Sequence, residues 1–469
     1  MFIYEDLAER VADHIRRGDL KPGERVPSLR KMSRVMGVSM TSAMRAYGML
    51  EDRGMIESRP KSGYFVRLLP SRIPRLLTNT AESSTCAVDK GRIINDFMET
   101  LHDPRFLHFG CASPHPTLLP LQRVANQLSR VARRDPNRMM NYVFPPGGPA
   151  LRRQIALHGL NHQCRFTAED VLITNGCMEA LYLSLKGLTQ PGDHVLIESP
   201  TYFNVLQLLD NLGLKAVVVP AHPNTGVDIK QLAMTLEKQP IKAILLVPSF
   251  NNPLGCSVPQ DERSTLVKLA VRHRVPIIED DVYGDLYLEG ERPKPLKSFD
   301  TDGWVILCSS FSKTLAPGLR VGYAVSERFR DSLKQVQFMS TLAPATPTQE
   351  TVAAFIQSGH YQRHLKKLRQ QLKGLLAQFT AQLERCFPEG TRIAHPLGGF
   401  VLWLALPNGT DSFKLFDRAK QYQISFVPGP LFSPRDEYRN CIRLTYAHPF
   451  DDTVKSKIQL LGQLCTQSQ

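Results

Sequence analysis

The chain has 469 residues, 42% of them hydrophobic and 22% charged, proportions that exclude global disorder, a collagen-like rod and a coiled coil. Its 58 Lys and Arg against 44 Asp and Glu give a formal charge of +14, which favours an anionic partner such as nucleic acid or a phosphorylated ligand without choosing between them. Residues 1–70 hold 13 basic and 9 acidic side chains, so the excess is spread along the chain and no basic footprint confined to one domain is visible.

From the N-terminus, Leu7, Val11 and Ile15 recur at helical spacing, and Gly18 and Pro22-Gly23 end that first helix. A second helix follows Ser28 and is limited by Gly37. Ser39 is placed to cap a third, which runs through Tyr47 and Leu50 to a stop at Gly54. Ile56 to Arg59 and Gly63 to Arg67 then read as two short strands around a Pro-Lys-Ser-Gly turn. Past Leu69, two prolines and a cluster of Ser, Thr and Asn interrupt any hydrophobic period up to about Arg92, as in an interdomain linker.

Three helices and a hairpin are the layout of a winged helix-turn-helix. The segments G-D-L-K-P-G-E-R-V-P-S-L-R from Gly18, G-V-S-M-T-S-A-M-R-A-Y from Gly37 and S-G-Y-F-V from Ser62 resemble, in order, the DNA-binding head of GntR-type transcription regulators. The resemblance implies that the third helix enters the major groove of an operator while the wing touches the backbone or minor groove. Arg30, Ser39, Thr41, Arg45, Lys61 and Gly63 are the implied DNA-binding residues. Where that family commonly has an arginine directly after the cap residue, this chain has Met40, which cannot donate a hydrogen bond to guanine.

Farther on, Val171–Ile173, Val195–Ile197, Ala216–Val219, Ala243–Val247, Pro276–Ile278 and Val305–Leu307 are short apolar runs separated by helical stretches, the pattern of parallel strands buried on both faces and hence of an α/β fold. Neither G-x-x-x-x-G-K-[ST] nor G-x-G-x-x-G is present, so a nucleotide loop is not the source of function. Ser309-Ser310-Phe311-Ser312-Lys313 with Arg320 seven positions on suits an aldehyde cofactor that carries a phosphate. The amine forms a Schiff base, while hydroxyls and guanidinium hold the dianion.

Read with the other segments, this one resembles fold-type I, aspartate-aminotransferase-like enzymes that use pyridoxal 5′-phosphate. Carried over residue by residue, the resemblance implies Lys313 as the Schiff-base lysine and Asp280, in Glu279-Asp280-Asp281-Val282-Tyr283, as the carboxylate on the pyridine nitrogen. Asn252 and Tyr283 would meet the phenolic oxygen, and Tyr202 would stack on the ring. The phosphate would be held by Cys177, Met178, Ser310, Ser312 and Arg320, with Tyr142 reaching it from a neighbouring subunit. Arg443 would clamp a substrate carboxylate near Gly110. Asp281 is expected to be a solvated or capping acid.

A winged helix joined by a linker to such a domain resembles the MocR subfamily of GntR-type regulators. The expected architecture is a head over 1–69, a linker over 70–104 and an aminotransferase-like domain over 105–469, its mostly parallel sheet followed by a smaller α/β lobe from about 340. The expected function is a DNA-binding regulator, a head-to-tail homodimer that senses a small amine or amino acid. A working aminotransferase with a secondary head is the alternative, and a lyase or decarboxylase on the same fold a weaker one.

Nine cysteines without a C-x-x-C pair point to reduced thiols. His158 with His162 and His360 with His364 have helical zinc-ligand spacing, but neither has a third ligand nearby in sequence, and no metal is expected. No run approaches the roughly 18 apolar residues of a membrane span. Three acids lie within the first nine positions, so a cytosolic protein without a membrane partner is expected.

Overall fold

The computed structural model describes residues 3–16, 19–20, 23–52, 55–59, 62–66 and 90–467. The chain divides into two compact units, Met1–Pro74 and Arg75–Gln469.

In the first unit, α1 (Ile3–Arg16) buries the stripe Leu7, Ala8, Val11, Ala12 and Ile15, the spacing that one helical face requires. Ser28 caps α2 (Leu29–Met36) by accepting from Lys31 N at 3.3 Å, and Gly37 closes it at φ 65°, a left-handed turn that glycine makes without strain. The Ser39 hydroxyl accepts from Ser42 N at 3.0 Å and starts α3 (Met40–Asp52). Tyr47, fully buried on α3, donates to Pro27 O at 2.6 Å and ties that helix to the chain before α2. Strands β1 (Ile56–Arg59) and β2 (Gly63–Val66) pair antiparallel as the wing, with Gly63 at φ 97° turning the hairpin.

The second unit begins earlier than the sequence suggested. The linker placed over 70–104 is corrected at its C-terminal end, because α4 (Lys90–His102) buries Ile93 and Phe97 in the main core and Thr100 Oγ1 lies 2.9 Å from Ser425 Oγ. An apolar pattern at helical spacing sat inside what composition marked as linker, and packing decided it. Next, β3 (Leu107–His108) pairs in parallel with residues 424–425, so this segment is built into the C-terminal part of the fold.

The central sheet comprises β4 (Val171–Thr174), β5 (His194–Ser199), β6 (Lys215–His222), β7 (Gly226–Val227), β8 (Ile241–Leu246), β9 (Ile277–Asp280), β10 (Val305–Ser310) and β11 (Gly322–Val325). Their order is β4-β11-β10-β9-β8-β5-β6-β7, parallel from β10 to β6 and antiparallel at β11 and β7. Strands β4, β8 and β9 are buried at nearly every residue, which is why they read as continuous apolar runs.

A four-stranded sheet, β12 (Arg392–Ile393), β13 (Val401–Ala405), β16 (Cys441–Thr445) and β15 (Val427–Pro428) in that order, forms the smaller lobe, while β14 (Ile424–Ser425) carries the pairing to β3. Eight cysteines are described and all are free. Among the described residues no helix is long and apolar enough to cross a membrane.

Candidate functional site

Because β4, β5, β8, β9 and β10 run in one direction, their carboxyl ends share one edge of the sheet, the place where α/β folds bind ligands. Each motif singled out in the sequence follows one of these ends: Asn175–Met178 after β4, Tyr202 after β5, Asn252 after β8, Asp280–Tyr283 at the end of β9 and Ser310–Arg320 at the end of β10. The topology gathers what the sequence scatters between Asn175 and Arg320.

Lys313 lies at the centre. Its Nζ donates to Ala112 O at 2.6 Å. Burial holds this amine below the usual lysine range, and Cys111, Arg443, Asp280 and Arg320, from separate segments, act on it electrostatically. Asp280 is 6% exposed, and its Oδ1 accepts from Val282 N at 3.2 Å and Cys177 Sγ at 3.5 Å. Burial raises this carboxyl to about 6; a protonated ring nitrogen beside it would draw it back to the ionised form. The Cys177 thiol is pushed well above its ordinary value by burial and then by Asp280, which leaves it a buried thiol and not a nucleophile.

Cys177 and Met178 open the helix Cys177–Leu188, whose N-cap Gly176 sits at φ 94° with no side-chain cap. Their amides are the unsatisfied donors of a positive helix end. Arg320 lies against that end, donating to Asn175 O at 2.8 Å and Ser312 Oγ at 3.2 Å, and a Cβ on Gly176 would collide with its guanidinium. Ser310 Oγ accepts from Ser312 N at 3.4 Å. One cluster thus holds free amides, two hydroxyls and a guanidinium, a donor set that fits a phosphate dianion.

Tyr283 and Asn252 are each 3% exposed, and Asn252 Oδ1 is buried without a hydrogen-bond partner. Burial pushes the Tyr202 phenol up to about 12, and its hydroxyl accepts from Asn204 Nδ2 at 2.9 Å. Arg443, on β16, is 1% exposed. Its Nη2 donates to Gly110 O at 2.9 Å, while Nε and Nη1 are buried with no hydrogen-bond partner. Such orphaned donors are costly, and a carboxylate docked on this guanidinium satisfies them, a two-pronged bond pairing Nε or Nη1 with the second N–H of Nη2. A Cβ on Gly110 would run into the Phe97 ring and approach the Phe426 backbone, so packing requires the glycine and its carbonyl aims Arg443.

Some sequence expectations are not gathered here. Tyr142 is 69% exposed, stacked on Phe144 at 5.6 Å. Asp281 is not solvated; it is 3% exposed and paired with Arg292. In the head, Arg30, Ser39, Thr41 and Arg45 are exposed, as is Met40. The Arg45 guanidinium lies 5.5 Å from the Tyr4 ring, and Lys61 falls outside the described residues. Arg25, not selected from the sequence, packs its guanidinium 3.3 Å from where a Cβ of Gly63 would stand.

Two further residues were missed. Arg263 is fully buried and donates to Pro248 O, Val258 O, Lys294 O, Ser249 Oγ and Ser257 Oγ, fastening the loop that presents Asn252. Glu198, in the apolar run of β5, accepts from Val247 N at 2.7 Å. An acid inside an apolar strand was the available signal. Burial raises its carboxyl to about 8 from 4.5, so the folded chain keeps a proton that the unfolded chain releases. Stability contributed by this group is therefore full below about 4.5 and lost as pH rises towards 8. Glu198→Gln should remove that slope: in thermal melts at intervals from pH 5 to 8, the variant gains on the wild type as pH increases.

Residues 112–459 match the family described as aminotransferase class I and II, and residues 3–66 match the bacterial regulatory proteins of the gntR family. Over 463 residues the chain is 36% identical to YjiR of Escherichia coli (strain K12), named an uncharacterized HTH-type transcriptional regulator, with 98% of each chain covered. YdcR of the same organism, named in the same way, is 34% identical with 98% of each chain covered. The crystal structure of LysN, an alpha-aminoadipate aminotransferase of Thermus thermophilus complexed with N-(5′-phosphopyridoxyl)-L-leucine, superposes with a TM-score of 0.74 at 28% identity, over 80% of this chain and 94% of its own.

Proposed function

We infer, since the chain belongs to the aminotransferase class I and II family with a gntR-family head fused in front, that it is a MocR-type regulator in which binding of a small amine or amino acid alters the hold on an operator. The cofactor is pyridoxal 5′-phosphate, and the groups gathered at the carboxyl ends of the strands fit it. Lys313 is the attachment point, Asp280 the partner of the ring nitrogen, Asn252 and Tyr283 the partners of the phenolic oxygen, and Tyr202 the stacking ring. The amides of Cys177 and Met178, with Ser310, Ser312 and Arg320, hold the phosphate. When bound, the cofactor supplies an aldehyde that captures primary amines and a ring that accepts electrons.

The chain's own part is orientation and proton placement. Lys313 Nζ, depressed by burial, is poised to give up or take a proton at the captured amine. Asp280 keeps the proton on the ring nitrogen, and the Arg443 guanidinium, with Nε and Nη1 left without partners, fixes a carboxylate. Those two free donors are the observation that carries the amino-acid reading. Met140, Tyr142, Phe144, Phe338 and Met339 form an exposed apolar set, 86, 69, 51, 56 and 74% exposed, larger than single scattered side chains need. This supports a homodimer in which Tyr142 serves the partner's site. The head's exposed residues contact the operator in a cytosolic setting.

The test is fluorescence anisotropy on DNA from the chain's own promoter region, with cofactor and a panel of amino acids and amines. DNA binding that shifts with one of them supports the regulator. Failure to bind DNA together with release of a keto acid supports instead a working aminotransferase, for which the same residues suffice.

A further inference from the structure

We propose that His158, His162 and Asp285 form a site for a divalent transition cation of the zinc class, separate from the cofactor site. His158 lies in the last turn of the helix Pro149–Asn161 and His162 caps its end, so the spacing of four puts both rings on one face. The third group, which sequence proximity did not offer, comes from the turn after β9. His158 Nε2 is 3.1 Å from Asp285 Oδ2 and His162 Nε2 is 3.9 Å from Asp285 Oδ1. One ligand atom from each of the three residues lies within 4.8 Å of the others. Zinc bonds of about 2.0–2.1 Å put neighbouring ligand atoms roughly 3.3 Å apart, so the His158–Asp285 pair is already in place, and the pairs that involve His162, within 4.8 Å, need to close by at most about 1.5 Å.

A second observation points the same way. His162 Nε2 is buried without a hydrogen-bond partner, a lone pair or N–H left idle where burial makes idleness costly. The carboxylate is already oriented: Arg292 Nε donates to Asp285 Oδ1 at 2.8 Å and Tyr361 Oη donates to Oδ2 at 3.3 Å. Arg292 on Oδ1 acts as the outer partner that fixes a ligating carboxylate, and its charge lowers the affinity without occupying Oδ2. Two imidazoles and one carboxylate, with water completing four ligands, select zinc, cobalt or nickel over magnesium or calcium. His360 and His364 are engaged elsewhere, with Ser358 Oγ and Thr314 O.

The experiment adds cobalt(II) to chelator-treated, tag-free full-length protein carrying its cofactor. Saturable ligand-field bands of four-coordinate cobalt, displaced by zinc, are expected. His158→Gln and His162→Gln should each weaken binding by more than about tenfold while keeping the cofactor absorbance, and His360→Gln should bind as the wild type does. Absence of the bands in the wild type, or undiminished binding in both of the first two variants, would overturn the site.

Discussion

Lys313→Ala is expected to abolish the borohydride-reducible yellow absorbance of the protein and, with it, every response of DNA binding to amines, while affinity for DNA without an amine survives. The reasoning is local. Lys313 Nζ stands where Asp280, Arg443 and Arg320 all act on it, and its hydrogen bond goes to Ala112 O, a backbone group. The head folds around its own core of Leu7, Val11, Tyr47 and Leu50, in a unit distinct from the one that carries Lys313. Absorbance spectra before and after borohydride, with anisotropy on the same preparations, check both halves. An unchanged reducible absorbance would remove Lys313 from its role.

The second large effect concerns ligand choice. Arg443→Ala should weaken binding of amino acids by roughly 30-fold to several thousand-fold, the size that loss of a buried charge pair of about 2–5 kcal/mol implies. Amines that lack a carboxylate should bind as before. The distinction follows from Arg443 having two buried N–H groups with nothing to donate to. Arg443→Lys keeps the charge but loses the fork and should fall between. Titration of the cofactor absorbance with an amino acid and its decarboxylated counterpart measures both. Equal losses for the two ligands would show that Arg443 acts on packing and not on the carboxylate.

What the sequence disclosed depended on whether the signal was local. The caps at Ser28, Gly37 and Ser39 act within four residues, and the structure uses each as expected. The parallel strands were legible because burial on both faces makes them continuously apolar. The antiparallel β11 had no comparable signature, since Gly322-Tyr323-Ala324-Val325 is four residues long and its pairing is tertiary. The helix α4 was hidden for the same reason: Ile93 and Phe97 reveal their burial only once Phe109 and Phe426 are packed near them.

The site divides in the same way. Lys313, Asp280 and Arg443 stood in recognisable segments, whereas Asp285 lies 123 positions from His162, and Glu198 and Arg263 work through backbone groups that no motif marks. Asp281 was misjudged because its partner Arg292 is eleven positions on, across a turn.

One measurement reaches the centre of the account: borohydride reduction of the purified wild-type protein followed by peptide mapping. A pyridoxyl group covalently fixed to the peptide that contains Lys313 is the predicted result. A protein that is colourless, takes up no added pyridoxal phosphate and yields no modified peptide would contradict it, and the sensor and enzyme readings would fall together.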